Sequence, residues 1–129
     1  MRYLDSSVVI AELFLESRRP PGEFWAGSLI TSRLLEYEVW TKIHAKRLAE
    51  SRGDQVRFLL ERLAILEMEP PILARVLHPF PKPVRTLDAI HLASADFLRG
   101  QGEEISIATY DRRMRDTAAE MGFEVYEMG

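Results

Sequence analysis

Four acidic residues, far apart in the chain, each fall near the point where a strand gives way to a helix. Asp5 directly follows Arg2-Tyr3-Leu4. Asp111 stands one residue past Tyr110, after the run Ile105-Ser106-Ile107-Ala108-Thr109. Asp88 lies in the first turn of a helix opening at Thr86, and Glu38 lies within two turns of the helix after Leu29-Ile30-Thr31. In a parallel α/β sheet, strand ends and helix starts share one edge, and ligands bind there. Carboxylates gathered without a counter-ion repel and raise one another's pKa. A divalent cation relieves that repulsion, and oxygen-only ligands select Mg²⁺ or Mn²⁺. Ions of this kind activate water and steady in-line displacement at phosphorus.

Each acid also has an ordinary explanation. Asp5 and Asp111 can be helix N-caps, Asp88 can answer the helix macrodipole, and Glu38 can be a solvated helix residue. The surroundings weigh against these readings. Asp5 follows an apolar strand, and Asp88 sits between Leu87 and Ala89-Ile90, so both are expected to be partly buried.

The elements that must place these acids follow from pattern. Strands are expected at Arg2-Tyr3-Leu4, Leu29-Ile30-Thr31, within 65–69, at 105–109 and at 123–126. A largely apolar helix is expected from Val8 to Glu16, ended by Arg18-Arg19-Pro20-Pro21-Gly22. The next is capped by Thr31 or Ser32 and runs to about Ala49, where Ser51-Arg52-Gly53-Asp54 ends it and starts another through Leu66. Further helical stretches are Ile72 to Leu77, Thr86 to Arg99, and Asp111 to Gly122. The prolines of His78-Pro79-Phe80-Pro81-Lys82-Pro83 make a stiff surface loop. Strands alternating with helices define an α/β class, and residues 1–129 read as a single domain.

Composition narrows the function classes. At 47% apolar, the 129 residues can fill one core. There is no cysteine, which excludes disulfides, zinc–thiolate sites and thiol catalysis. No apolar run approaches the roughly 18–20 residues of a membrane span, and the expectation is a cytoplasmic protein. The 17 basic and 20 acidic residues leave a net charge of −3, which argues mildly against a general nucleic-acid binder.

Four stretches, in this order, resemble the PIN-domain nucleases, and within them the VapC-type toxins of toxin–antitoxin pairs. They are Tyr3-Leu4-Asp5-Ser6-Ser7, Thr31-Ser32 through Glu38-Val39, Leu87 through Ala93, and Ala108 through Arg113. The resemblance implies a three-layer α/β/α fold with a central parallel sheet of four to five strands. It implies an Mg²⁺- or Mn²⁺-dependent endoribonuclease that hydrolyses single-stranded or looped RNA, leaving a 5′-phosphate and a 3′-hydroxyl. A homodimer and a small VapB-like antitoxin are implied as well. Residue by residue, Asp5, Glu38, Asp88 and Asp111 match the acidic, metal-binding positions. Ser6 and Thr109 match neighbouring hydroxyls. Glu36 competes with Glu38, but the two lie about 200° apart on a helix, so only one can face the site. The family's acid falls six residues after the serine ending the second strand, and Ser32 then points to Glu38.

Other residues carry less. Asp96 and Asp116 are expected at the surface. His91, one turn past Asp88, could touch the site but is better explained as a packed or hydrogen-bonded helix residue. Arg112, Arg113 and Arg115 form a basic run beside Asp111; a solvated helix face explains it slightly better, while Arg112 or Arg113 is placed to meet an RNA phosphate. Trp25 and Trp40 suit packing better than base stacking. Phosphoaspartyl enzymes fit poorly, because Asp5-Ser6-Ser7 lacks the second acid and no lysine follows Lys82. A glycine-rich nucleotide-binding turn is absent. The remaining rival is a PIN-like fold kept as a non-catalytic RNA- or protein-binding module; lost acids would mark it, and all four positions are filled.

Overall fold

A computed structural model describes residues 1–128. Five strands form one parallel sheet: β1 (Arg2–Leu4), β2 (Leu29–Ser32), β3 (Ala64–Leu66), β4 (Ser106–Ala108) and β5 (Glu124–Val125). Their spatial order is β3-β2-β1-β4-β5. The helices are α1 (Ser6–Leu13), α2 (Arg33–Ala45), α3 (Ala49–Glu61), α4 (Pro70–Val76), α5 (Thr86–Gly100) and α6 (Arg112–Glu120), with a 3-10 turn at Gly22–Ala26.

Strand side chains alternate between two cores, and this splits the molecule into layers. Leu4, Leu29 and Ala108 join Val8, Leu13, Leu35, Ile43 and Leu59 on the face covered by α1, α2 and α3. Tyr3, Ile30 and Ile107 join Leu92, Leu98, Met114 and Ala118 on the face covered by α5 and α6. Burial on both faces is what a parallel sheet requires, because its helical crossovers cover it on either side. The three-layer α/β/α architecture expected from the sequence is the one observed.

Topology sets the position of the site. The chain builds outward from β1 through β2 to β3, then returns to place β4 on the other side of β1. The carboxyl ends of β1 and β4 therefore flank the point where strand order reverses, and such switch points open a crevice. Register aligns Leu4 with Ala108, so Asp5 and Thr109 emerge side by side.

Several boundaries differ from expectation. Helix α1 starts at Ser6 and stops at Leu13, short of Glu16, and Leu15 turns to φ 50°. The segment after the Pro20-Pro21 breaker contains the 3-10 turn, which burial of Phe24 and Trp25 pins to the core. The larger correction concerns α2 and α3. Helix α2 ends at Ala45, not near Ala49, and α3 already begins at Ala49 and runs straight through Gly53. Arg47 makes the break by adopting φ 56°, with Arg47 N–H donating to His44 O at 3.0 Å and Leu48 N–H to Ile43 O at 3.0 Å. This is a Schellman closure, usually made by glycine. No helix among the described residues is long and apolar enough to cross a membrane.

Candidate active site

Asp5 is 4% exposed and is held on both oxygens. As the N-cap of α1 it takes the Ser7 backbone N–H on Oδ1 at 3.2 Å, and the Ser7 hydroxyl donates to the same oxygen at 2.5 Å. The Thr109 hydroxyl donates to Oδ2 at 2.7 Å. Each hydroxyl has a single proton, and both protons point at Asp5. Their lone pairs in turn accept backbone N–H groups from the turn after β4: Tyr110 onto Ser7 at 2.9 Å, and Asp111 onto Thr109 at 3.0 Å. Burial pushes the Asp5 pKa up, while the hydrogen bonds from Ser7 and Thr109 pull it back. The Thr109 hydroxyl is thus directed at Asp5. On the α1 side the hydroxyl that holds Asp5 belongs to Ser7, and Ser6 lines the cavity beside it without bonding Asp5. Capping geometry carries the signal for this, because an N-cap side chain bonds the amide two or three residues on.

Asp88 and Asp111 face the same cavity as Asp5, a space of about 690 Å³. Asp111 caps α6, accepting the Met114 N–H at 2.9 Å. Asp88, in the first turn of α5, has no hydrogen-bond or ion-pair partner among the described residues. Its pKa is raised by burial first, then by the charges of Asp111 and Asp5. The cations Arg18, Lys42 and Arg85 line the cavity without pairing with any of the three acids.

Glu38 stands slightly apart. It borders an adjoining groove that shares Ser6, Ile10 and Lys42 with the main cavity. Its charge still raises the pKa of both Asp5 and Asp88. Oε1 of Glu38 lies 2.6 Å from Nε2 of His91, whose Nδ1 lies 2.7 Å from the Tyr3 hydroxyl. Both His91 and Tyr3 are buried. Glu36, on another face of α2, turns to Arg33 at 3.4 Å.

The donor set is hard oxygen throughout, with negative charge unmatched at Asp88, and in kind it suits a divalent cation. Among the described residues, however, no three His, Asp or Glu side chains are already positioned to hold one ion. Asp5, Asp88 and Asp111 share a cavity without forming a closed coordination shell, and Glu38, expected with them, borders the adjoining groove.

The remaining residues sort clearly. Asp96 is half-buried rather than solvated, paired with Arg99 at 2.9 Å and Arg75 at 3.5 Å. Asp116 is exposed. Arg112, Arg115 and Arg18 line a smaller recess of about 140 Å³ beside Thr109 and Asp111. Trp25 is core, its indole N–H donating to Glu12 at 2.9 Å, and Trp40 stacks on His44.

The fold has known counterparts. The PIN domain family model matches residues 2–120, and the chain belongs to the PIN-domain family. Among named relatives it is similar to ribonuclease VapC46 of Mycobacterium tuberculosis, at 34% identity over 95% of this chain and 94% of that protein. Among solved structures it is similar to VapC20 of M. tuberculosis, described as a toxin that cleaves the sarcin–ricin loop. That match has a TM-score of 0.69 at 16% identity, covering 98% of this chain and 99% of that one. A toxin–antitoxin complex from Klebsiella pneumoniae matches with a TM-score of 0.64 at 17% identity, over 98% and 97% of the two chains.

Proposed function

We propose that this chain is a metal-dependent endoribonuclease of the VapC kind, the toxin of a toxin–antitoxin pair. The observation that carries the reading is a buried, clamped Asp5 sharing one cavity with Asp88 and Asp111 at the sheet's switch point. Asp5, Asp88 and Asp111 would hold Mg²⁺ or Mn²⁺, with Glu38 joining directly or through water. Such an ion supplies charge stabilisation at phosphorus and makes water more acidic.

The chain's own residues do the rest. Ser7 and Thr109 fix the direction of the Asp5 carboxylate at the cavity wall, and their hydrogen bonds favour its anionic form against the cost of burial. Arg112, with Arg18 and Arg115, offers guanidinium forks to RNA phosphates flanking the scissile bond. Arg112 and Arg18 have no carboxylate partner among the described residues, so their charge is available despite the net −3. The partners in this reading are single-stranded or looped RNA and a small antitoxin acting in the cytoplasm. The exposed Tyr37 and Leu87 beside the acids suit an antitoxin segment that covers the site. The toxin itself would be a homodimer, to be read by light scattering on the purified chain.

The test is cleavage of a labelled stem–loop RNA by the purified chain. Mn²⁺ or Mg²⁺ should support cleavage to 5′-phosphate ends, and EDTA or Asp5→Asn should stop it. Undiminished cleavage by Asp5→Asn, or cleavage in EDTA, would overturn the proposal.

A further inference from the structure

We propose that His91, steadied by Tyr3, is a positioning residue that fixes the carboxylate of Glu38 toward the acidic cavity. The inference rests on the reading of Glu38 as a metal ligand.

Three elements contribute to one hydrogen-bonded line. Tyr3 comes from β1, His91 from α5 and Glu38 from α2, with contacts of 2.7 and 2.6 Å. His91 is 1% exposed and Tyr3 is 0% exposed, so water cannot substitute for either partner. Proton accounting then leaves little freedom. A carboxylate oxygen offers only lone pairs, so Nε2 of His91 must carry a proton and donate it to Glu38. Burial pushes the Tyr3 phenol up, keeping it an O–H that can donate to Nδ1. One neutral tautomer of His91 satisfies both contacts, and no charged imidazole is needed.

An imidazole that only filled space here could be replaced by leucine or phenylalanine, since its neighbours Leu92 and Ala95 are apolar core. Instead both ring nitrogens are engaged. The consequence falls on Glu38. With Oε1 engaged by His91, the other oxygen is the one left for an ion. An unbraced glutamate would surrender the rotamer freedom of three torsions on binding metal. The bond to His91 removes that freedom beforehand. It matters most at Glu38, the acid standing outside the main cavity.

The experiment is a Mn²⁺ titration of the full chain by calorimetry, with the circular dichroism of each variant recorded in parallel. Outer-shell partners of ligating groups typically change metal affinity by about 10–100-fold. His91→Leu should weaken Mn²⁺ within that range. His91→Gln, whose amide N–H can still reach Glu38, should recover most of the loss. Tyr3→Phe should show a smaller weakening, because only the tautomer is released. In a Glu38→Ala background, His91→Leu should add nothing further, as expected for residues acting as one unit.

Folded His91→Leu with wild-type Mn²⁺ affinity would overturn the proposal, and so would an undiminished effect in the Glu38→Ala background. If His91→Leu does not fold, His91→Gln and Tyr3→Phe carry the same test; loss of affinity equal in both, with no rescue by Gln, overturns it. Failure of the metal reading has a separate signature: Mn²⁺ binding that Asp5→Asn leaves unchanged.

Discussion

Asp5 and Asp88 line one cavity, and the fold treats them in opposite ways. Asp5 is buried and takes hydrogen bonds on both oxygens from Ser7 and Thr109, which are themselves braced by backbone amides. Asp88 is half-exposed and takes none, and its neighbours Asp111 and Asp5 push its pKa up. A clamped carboxylate keeps its direction whether or not a ligand is present. A loose one stays ready to swing, and is uncomfortable until something cationic arrives. The site therefore combines a rigid anchor with an adaptable arm. This explains why the acids share a space without closing on a point.

The largest expected effects remove either acid. Asp5→Asn and Asp88→Asn should each lower metal-dependent RNA cleavage by more than about a hundredfold, beyond the range seen for outer-shell changes. Rate measurements at saturating Mn²⁺ would read it. The comparison breaks if either variant keeps more than a tenth of wild-type activity.

The clamp itself comes next. Thr109→Val keeps the shape of the side chain but removes the donor to Asp5 Oδ2 and the acceptor for the Asp111 N–H. Cleavage should fall by about tenfold, and unfolding stability by about 1–2 kcal/mol for the orphaned buried groups. Denaturant melts and rates together check this. A variant with wild-type rate would show that Asp5 needs no clamp.

A smaller and different effect belongs to the basic recess. Arg112→Ala should weaken RNA binding roughly equally for all sequences and reduce the slope of log affinity against log salt by about one contact. Binding to a non-cleavable RNA at several salt concentrations measures it. An unchanged slope would remove Arg112 from the RNA path.

Legibility followed the physics of each feature. The sheet and its order of elements were readable because apolar strands between helical stretches leave a strong periodic trace, as at Ile105 to Thr109. Asp5, Asp88 and Asp111 were readable as site candidates because topology alone sends strand ends and helix starts to one edge. The break after α2 was not, since Arg47 takes a left-handed conformation without glycine, while Gly53 looks like a breaker yet sits inside α3. The family pattern points to Ser6, whereas N-cap geometry favours Ser7, the second residue after Asp5. The bonds from His91 to Glu38 and Tyr3 span 53 and 88 residues, and no local pattern announces contacts of that separation.

The smallest predicted effect sharpens the contrast between anchor and arm through pH. The folded-state pKa of Asp88 is raised above its ordinary 3.8, so the folded protein keeps this proton to higher pH than the unfolded chain does. Protonation is then the favourable state, and metal-free stability falls as pH rises from near 3.8 through the raised folded value. Asp88→Asn removes that loss. Without metal, the variant should match wild type at the acid end of the window and melt higher near pH 7. The gain should be small, on the order of 2 °C, because solvent screens a half-exposed group. Mn²⁺ at pH 7 should reverse the order, stabilising wild type and leaving Asp88→Asn nearly unmoved. The same exchange at Asp5 should not reproduce the gain, since an amide there would face two hydroxyl donors and a backbone N–H with only one oxygen to receive them. Thermal melts of both variants from pH 3.5 to 8, with and without Mn²⁺, decide it. Equal behaviour of the two would mean that clamped and loose carboxylates are not physically different here.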